Sequence, residues 1–159
     1  MRVIAGSAGG IQLHVPKRGV RPTMDRVKAA IFSSLGNAVI DAHVLDLFAG
    51  SGALGIEALS RGAASVFFVD EDRQSIAAIE KNLGKARFQA RVREQDVFEF
   101  LKRFSSSERF EIIFADPPYE KPNPASVLPK SSCRTKSCPN CSSRTESSFW
   151  KSFRLRRFQ

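Results

Sequence analysis

Residues 43–70 read HVLDLFAGSGALGIEALSRGAASVFFVD and give the strongest indication of the fold. An apolar strand at 43–48 leads into a glycine loop, a helix that ends at Gly62, and a second apolar strand at 65–70. Buried parallel strands have continuous apolar runs of this kind. The pattern continues with a helix from Asp72 to Leu83 that ends at Gly84, a strand at 90–94, a helix at 97–104 and a strand at 110–116. This alternation predicts an α/β fold, a Rossmann-like parallel sheet with helices on both faces.

Two further segments precede this core. Apolar-rich runs at 2–5 and 11–15 flank GSAGG, a pattern that predicts a β-hairpin. Apolar residues then recur at helical spacing from Asp25 to Leu35, with Thr23 as the N-cap. The predicted organisation is a hairpin at 1–20, a helix at 23–36 that stops at Gly36, a core that ends at residue 121, and a tail at 122–159.

The net charge of +9 is concentrated at the two ends of the 159-residue chain. Residues 1–30 carry +5, residues 31–121 carry −3 and residues 122–159 carry +7. A basic N-terminal segment beside an acidic middle favours a nucleic-acid partner, while simple solvation of the surface stays an open alternative. No apolar run approaches the roughly 20 residues that a membrane span needs, and no signal peptide is visible. We expect a monomeric cytoplasmic protein without a membrane partner.

The tail at 122–159 contains nine serines and no apolar run that could form a buried strand, so we expect it to be disordered. The three cysteines all lie there and indicate neither a disulfide framework nor a four-ligand zinc site, so no metal is expected. We hypothesise that this tail is translated out of frame, which the coding DNA would test. The sheet would then be incomplete after its fourth strand, with Ile112 and Phe114 poorly covered.

The glycine loop indicates the kind of ligand. Gly50, Gly52 and Gly55 follow the GxGxxG spacing, and Asp70 ends the next strand, an arrangement that suits a dinucleotide or S-adenosylmethionine. Asp46 decides between them, because a carboxylate just before the loop would repel a pyrophosphate and attract the cationic groups of S-adenosylmethionine. Asp70 would accept hydrogen bonds from ribose hydroxyls. Asp96 follows the third strand and is either an adenine contact or a helix N-cap.

The sequence DPPY follows the last apolar strand, at the edge where open α/β sheets bind ligands. An exocyclic amino group is a poor nucleophile until acceptors hold its protons and direct its lone pair. The Asp116 carboxylate and the Pro117 carbonyl can supply those acceptors, Pro118 stiffens the loop, and Tyr119 can stack on a base. Guanine and adenine fit equally well.

Residues 1–121 resemble the RsmD-type methyltransferases, through MRVIAGSAGG, RPTMDRVKAAIF, DLFAGSGALGIEALSRGAASVFFVD and DPPY in that order. The resemblance implies S-adenosylmethionine-dependent methylation of N2 of a guanine in small-subunit (16S) ribosomal RNA, with a small-subunit assembly particle as partner. It departs from the family at Gly9, where a basic residue is usual, and in the tail. The implied cofactor-binding residues are Asp46, Phe48, Gly50, Gly52, Asp70, Asp96, Arg21 and Thr23. The implied catalytic residues are Asp116, Pro117, Pro118 and Tyr119.

Two other functions stay open at this point. A DPPY loop also suits an amino methyltransferase that acts on adenine in DNA. A sheet without its last strands could instead leave an RNA-binding fragment with no catalysis. A methyl-transfer assay separates these possibilities.

Overall fold

The computed structural model describes residues 1–16, 25–104 and 108–117. Its elements are α1 (Asp25–Leu35), a 3₁₀ turn (Gly36–Val39), β1 (His43–Leu47), α2 (Ala53–Ser60), β2 (Ser65–Asp70), α3 (Arg73–Ala86), β3 (Arg91–Glu94), α4 (Val97–Arg103) and β4 (Ile112–Ala115). Each predicted strand and helix of the core is present, with ends that differ by up to three residues. In these three ranges, no helix is long and apolar enough to cross a membrane.

All four strands are parallel, in the order β3-β2-β1-β4. The central strand β1 pairs on one side with β2 and on the other with β4, so that Leu45 lies beside both Phe67 and Ile113. The carboxyl ends of β1, β2 and β4 therefore meet at one edge of the sheet. The predicted Rossmann-like arrangement is confirmed.

The sheet is covered by helices on both faces, as predicted. On one face, Val44, Phe68 and Phe114 pack in a cluster with residues of α1, α2 and α3. On the other face, Leu45 and Phe67 pack with α4. Alternate residues of a strand point to opposite faces, so the two clusters follow from the near-continuous apolar character of β1 and β2.

Residues 1–3 and 10–13 are joined by one antiparallel bridge, between Arg2 and Gln12, and by three backbone hydrogen bonds, so the predicted hairpin is present in part but its two strands are not formed. Side chains of α2 bind other backbone groups of the same segment. Glu57 accepts hydrogen bonds from the N–H groups of Ile4 (2.7 Å) and Ala5 (3.1 Å). The side chain of Ser60 accepts from the N–H of Ala8 and donates to the carbonyl of Ala5. Residues 17–20 of the predicted hairpin lie outside the described residues.

One predicted helix end needs correction, while α1 runs from Asp25 to Leu35 as expected. The helix α3 does not stop at Gly84 but continues to Ala86, where Arg87 adopts a left-handed conformation. Phe88 explains the difference, because its N–H donates to the carbonyl of Leu83 and its side chain packs against the core, which places the turn after Ala86. Gly62 terminates α2 as predicted, with a φ of 100° and its N–H bonded to the carbonyl of Leu59.

The expectation that Ile112 and Phe114 are poorly covered is wrong. Both are buried in the larger cluster, and the ring of Phe114 meets the edge of Phe32 of α1 at 5.7 Å between centroids. Ile113, on the opposite face of β4, is the residue left exposed, at 43% of its surface. The alternation of β4 thus directs its larger apolar side chains toward α1. The predicted disorder of residues 122–159 falls outside the described residues.

Candidate functional site

The candidate site lies at the carboxyl edge of the sheet. Asp46 stands near the end of β1, the glycine loop follows β1, and Asp70 is the last residue of β2. Asp116 follows β4, one residue beyond Ala115, which pairs with Leu47 of β1. The structure therefore brings three of the predicted carboxylates to the same edge as the loop.

The glycine loop turns sharply from β1 into α2. Gly50 and Gly52 both have positive φ, at 56° and 73°, a conformation that glycine adopts without penalty. Phe48 also has positive φ, at 54°, which costs about 1 kcal/mol or more for a residue with a side chain. Its ring meets the ring of Phe98 edge to face at 5.9 Å. Such strain is typical of ligand-binding loops.

Asp70 holds the loop against β2. Its Oδ2 accepts a hydrogen bond from the N–H of Gly50 at 2.7 Å, and its Oδ1 accepts from the N–H of Asp72 at 2.9 Å. Asp72 in turn is the N-cap of α3 and accepts from the N–H groups of Gln74 and Ser75. The carboxylate of Asp70 is buried, so it sets the position of the loop and still presents lone pairs toward the edge of the sheet.

Asp46 is the most perturbed group at this edge. It is 3% exposed, and its Oδ2 accepts a hydrogen bond from the N–H of Gly55 at 2.9 Å. Burial raises the pKa of Asp46 to about 8, the Gly55 hydrogen bond opposes this shift, and the negative charges of Asp70 and Asp116 add to it. A cation bound at this edge would favour the ionised form. The arrangement can therefore attract a positively charged ligand.

Asp96 is the N-cap of α4, and its Oδ1 accepts from the N–H of Glu99 at 2.8 Å. The N-cap alternative is thus observed, while contact with adenine stays a prediction. Asp96 is joined to the site through its neighbour Gln95, whose N–H donates to the carbonyl of Asp70.

The remaining predicted site residues are only partly described. Asp116 is exposed and Pro117 is half-buried. Pro118, Tyr119, Arg21 and Thr23 lie outside the described residues. In the described ranges, no group of three or more His, Cys, Asp or Glu side chains is arranged to hold a metal ion.

Asn82 belongs to the site although the sequence motifs did not predict it. This residue lies on the buried face of α3, beside Ala78, Ile79 and Leu83, and its side chain contacts the glycine loop. A polar residue at an apolar position of an amphipathic helix is the signal that could have found it.

Comparisons with known proteins identify the family. The family model described as "conserved hypothetical protein 95" matches residues 1–133. The chain belongs to this family. Ribosomal RNA small subunit methyltransferase D of Escherichia coli (strain K12) is 41% identical over 123 residues, which cover 76% of this chain and 61% of that protein. The RsmD-type resemblance is thereby confirmed, and the chain spans about three fifths of the length of the curated relatives that it matches.

Solved structures show the same architecture. A putative methyltransferase yhhF from Escherichia coli superposes with a TM-score of 0.68 at 40% sequence identity, covering 77% of this chain and 67% of that chain. A T. thermophilus 16S rRNA N2 methyltransferase (RsmC), solved in complex with AdoMet and guanosine, has a TM-score of 0.55 at 30% identity, covering 65% of this chain and 28% of that chain. The predicted methyltransferase-type fold is therefore confirmed.

Proposed function

We propose that this chain carries the core of an S-adenosylmethionine-dependent methyltransferase that acts on the exocyclic N2 amino group of a guanine in small-subunit ribosomal RNA. The observation that carries the proposal is the buried carboxylate of Asp46 beside the glycine loop, with Asp70 and Asp116 as its charged neighbours. The names of the relatives support the reaction and the RNA substrate.

The donor set fits S-adenosylmethionine better than a dinucleotide. S-adenosylmethionine supplies a methyl group on a cationic sulfur, and its transfer to nitrogen releases a proton and leaves neutral S-adenosylhomocysteine. A cationic ligand is attracted by Asp46, whereas a pyrophosphate would meet three carboxylates. We assign Phe48, Gly50 and Gly52 to the loop that cradles the cofactor. Asp70 would bind the ribose and Asp96 the adenine, with Arg21 and Thr23 completing the proposed set.

The acceptor side of the site would be formed by the DPPY sequence. Asp116 is exposed at the sheet edge, so its carboxylate can accept a hydrogen bond from an amino proton of an incoming base. The Pro117 carbonyl would accept the second amino proton, and these two contacts would direct the nitrogen lone pair toward the methyl group. Pro118 and Tyr119 complete the proposed catalytic set, with Tyr119 stacked on the base.

Calorimetry at pH 8 with S-adenosylmethionine and with NAD tests the cofactor. We expect the chain to bind S-adenosylmethionine and not NAD. Asp46→Asn should weaken binding about tenfold or more, because the amide oxygen can still accept from Gly55 but the negative charge is lost. Asp41→Asn is the matched control, because Asp41 is an exposed carboxylate two residues before β1, at the opposite edge of the sheet. Affinity for NAD without a response to S-adenosylmethionine would overturn the proposal.

Transfer of a labelled methyl group tests the substrate. The acceptors are small-subunit ribosomal particles, free 16S rRNA and double-stranded DNA, and the labelled nucleoside is identified after digestion. The proposal expects label in N2-methylguanosine from the particles. Label in N6-methyladenine from DNA would replace the RNA substrate with the DNA alternative. Binding of S-adenosylmethionine and RNA without any transfer would point to the non-catalytic fragment.

A further inference from the structure

Asn82 of α3 connects two parts of the chain that are far apart in sequence. Its side chain is fully buried and forms three hydrogen bonds. The Oδ1 atom accepts from the N–H of His14 at 2.6 Å, and Nδ2 donates to the carbonyl of His14 at 2.8 Å and to the carbonyl of Ser51 at 2.9 Å. The amide thus uses both of its N–H donors and its oxygen.

Ser51 lies between Gly50 and Gly52 in the AGSG loop at 49–52. Ser51 is buried, so leaving its carbonyl without a hydrogen-bond partner would destabilise the fold. Gly50 and Gly52 are both left-handed here, and as glycines they could adopt other backbone conformations as well. Contacts from other parts of the chain must therefore select the observed conformation of the loop. Asp70 fixes the segment at the Gly50 N–H, and Asn82 fixes it at the Ser51 carbonyl.

His14 lies near the end of the N-terminal segment, which we define as residues 1–16. The other anchor of this segment is α2, where Glu57 binds the N–H groups of Ile4 and Ala5 and Ser60 binds Ala8. Among the side-chain hydrogen bonds of the described residues, those of Asn82 alone connect this segment to the glycine loop.

We propose that Asn82 is a positioning residue that couples the N-terminal segment to the glycine loop, so that a ligand at the loop stabilises residues 10–16. Coupling between two sites is reciprocal, so a partner that binds the stabilised form of residues 10–16 would tighten binding at the loop. The choice of S-adenosylhomocysteine as the probe ligand rests on the proposed function, whereas the coupling itself rests on the three hydrogen bonds of Asn82.

Hydrogen exchange followed by mass spectrometry tests the coupling in the full chain. In the wild type, S-adenosylhomocysteine should slow exchange in peptides that cover 48–55 and also in those that cover 10–16. Asn82→Ala should abolish the response at 10–16 and weaken S-adenosylhomocysteine binding about three- to tenfold, the range for one lost hydrogen bond. Ser60→Ala is the matched control, because it removes an anchor of the N-terminal segment without touching the loop. It should keep both the ligand affinity and the response at 10–16.

A ligand-free comparison separates this inference from the proposed function. Without ligand, Asn82→Ala should speed exchange at 48–55 about three- to tenfold, and Ser60→Ala should leave it unchanged. If Asn82→Ala does not fold, Asn82→Asp replaces it, since the carboxylate still accepts from the N–H of His14 but cannot donate to the carbonyls of His14 and Ser51. If the wild type does not bind S-adenosylhomocysteine, the proposed function fails and the ligand-free comparison decides on Asn82. Unchanged exchange at 48–55 in the Asn82 variants, or an equal effect of Ser60→Ala, would overturn the coupling.

Discussion

Gly55→Ala should destabilise the fold, because α2 packs so tightly against side chains of β2 at this glycine that there is no space for a Cβ atom. A Cβ atom at position 55 would stand 2.3 Å from Cε1 of Phe68, 2.6 Å from its Cζ and 2.8 Å from Cγ1 of Val66. Carbon atoms pack at about 3.5–4.0 Å, so either the helix or the ring must move by about 1 Å. Phe68 is fully buried, and α2 is anchored by Asp46 at Gly55 and by Glu57 at the N-terminal segment.

The expected loss follows from two opposing effects. Overpacking a core costs about 1–3 kcal/mol, and alanine regains about 0.5–1 kcal/mol of helix propensity over glycine. The overlap with Phe68 is severe, so we expect a net loss of about 2 kcal/mol and a fall in Tm of roughly 5–10 °C. Movement of α2 would also lengthen the hydrogen bond between Gly55 and Asp46, and the affinity for S-adenosylmethionine should fall with stability.

Gly84→Ala is the matched control. Gly84 lies within α3, and a Cβ atom there would meet no atom within 4 Å. This variant should gain about 0.5–1 kcal/mol, because alanine loses less backbone entropy on folding into a helix. Urea denaturation followed by circular dichroism measures both variants. A Gly55→Ala protein as stable as the wild type, or equal losses for the two variants, would refute this account of the third glycine.

Three further predictions concern charged groups. Burial raises the pKa of Asp46 from 3.8 to about 8, so the folded state favours the protonated form and the free energy of unfolding should fall as pH rises from about 4 to about 8. Urea titrations should show this pH dependence in the wild type and a weaker one in Asp46→Asn, and equal pH dependence in the two proteins would contradict the prediction. Asp116→Ala should lower methyl transfer about 100-fold with little change in S-adenosylhomocysteine affinity, and a parallel loss of affinity would show that Asp116 holds the cofactor instead. Glu57→Gln should cost about 3 kcal/mol in urea denaturation, because it removes the nearer of the two carboxylates that pair with the fully buried Lys28, Glu57 at 3.6 Å and Asp25 at 3.9 Å. Adding Lys28→Met should restore part of that loss, and a further loss would argue against the weakened pairing of Lys28 as the cause.

The core strands could be predicted from the sequence because each contains its own signal. VFFV and IIF are apolar on both faces, and parallel strands covered by helices on both sides require this. The glycine spacing and Asp70 likewise predicted the loop, since the residues that form it lie within one strand–loop–helix–strand unit. The parts of the fold and of the site that depend on residues close together in the sequence could therefore be predicted.

The features that the sequence did not predict depend on tertiary contacts. The N-terminal segment pairs only in part as a hairpin, and Glu57 and Ser60, about 50 residues away in the chain, bind the other N–H groups that lie between its two arms. The end of α3 is set by Phe88 and the core rather than by Gly84. Asn82 was missed for the same reason, because its partners His14 and Ser51 become neighbours only when α3 packs beside the glycine loop.

The charge of Asp46 is better explained by a cationic ligand than by the hydrogen bond that the side chain makes within the fold. The carboxylate anchors the first turn of α2 through Gly55, and an asparagine could accept the same hydrogen bond without the cost of a buried charge. The charged groups that shift its pKa, Asp70 and Asp116, are both negative and make ionisation harder. Residues that reduce stability in this way are typical of functional sites. A cationic ligand would supply the positive charge that these neighbours do not, so binding should release a proton from Asp46 below about pH 8. Because the asparagine variant has no proton to release there, the difference in proton release between the two proteins measures how far the bound cation lowers the pKa of Asp46.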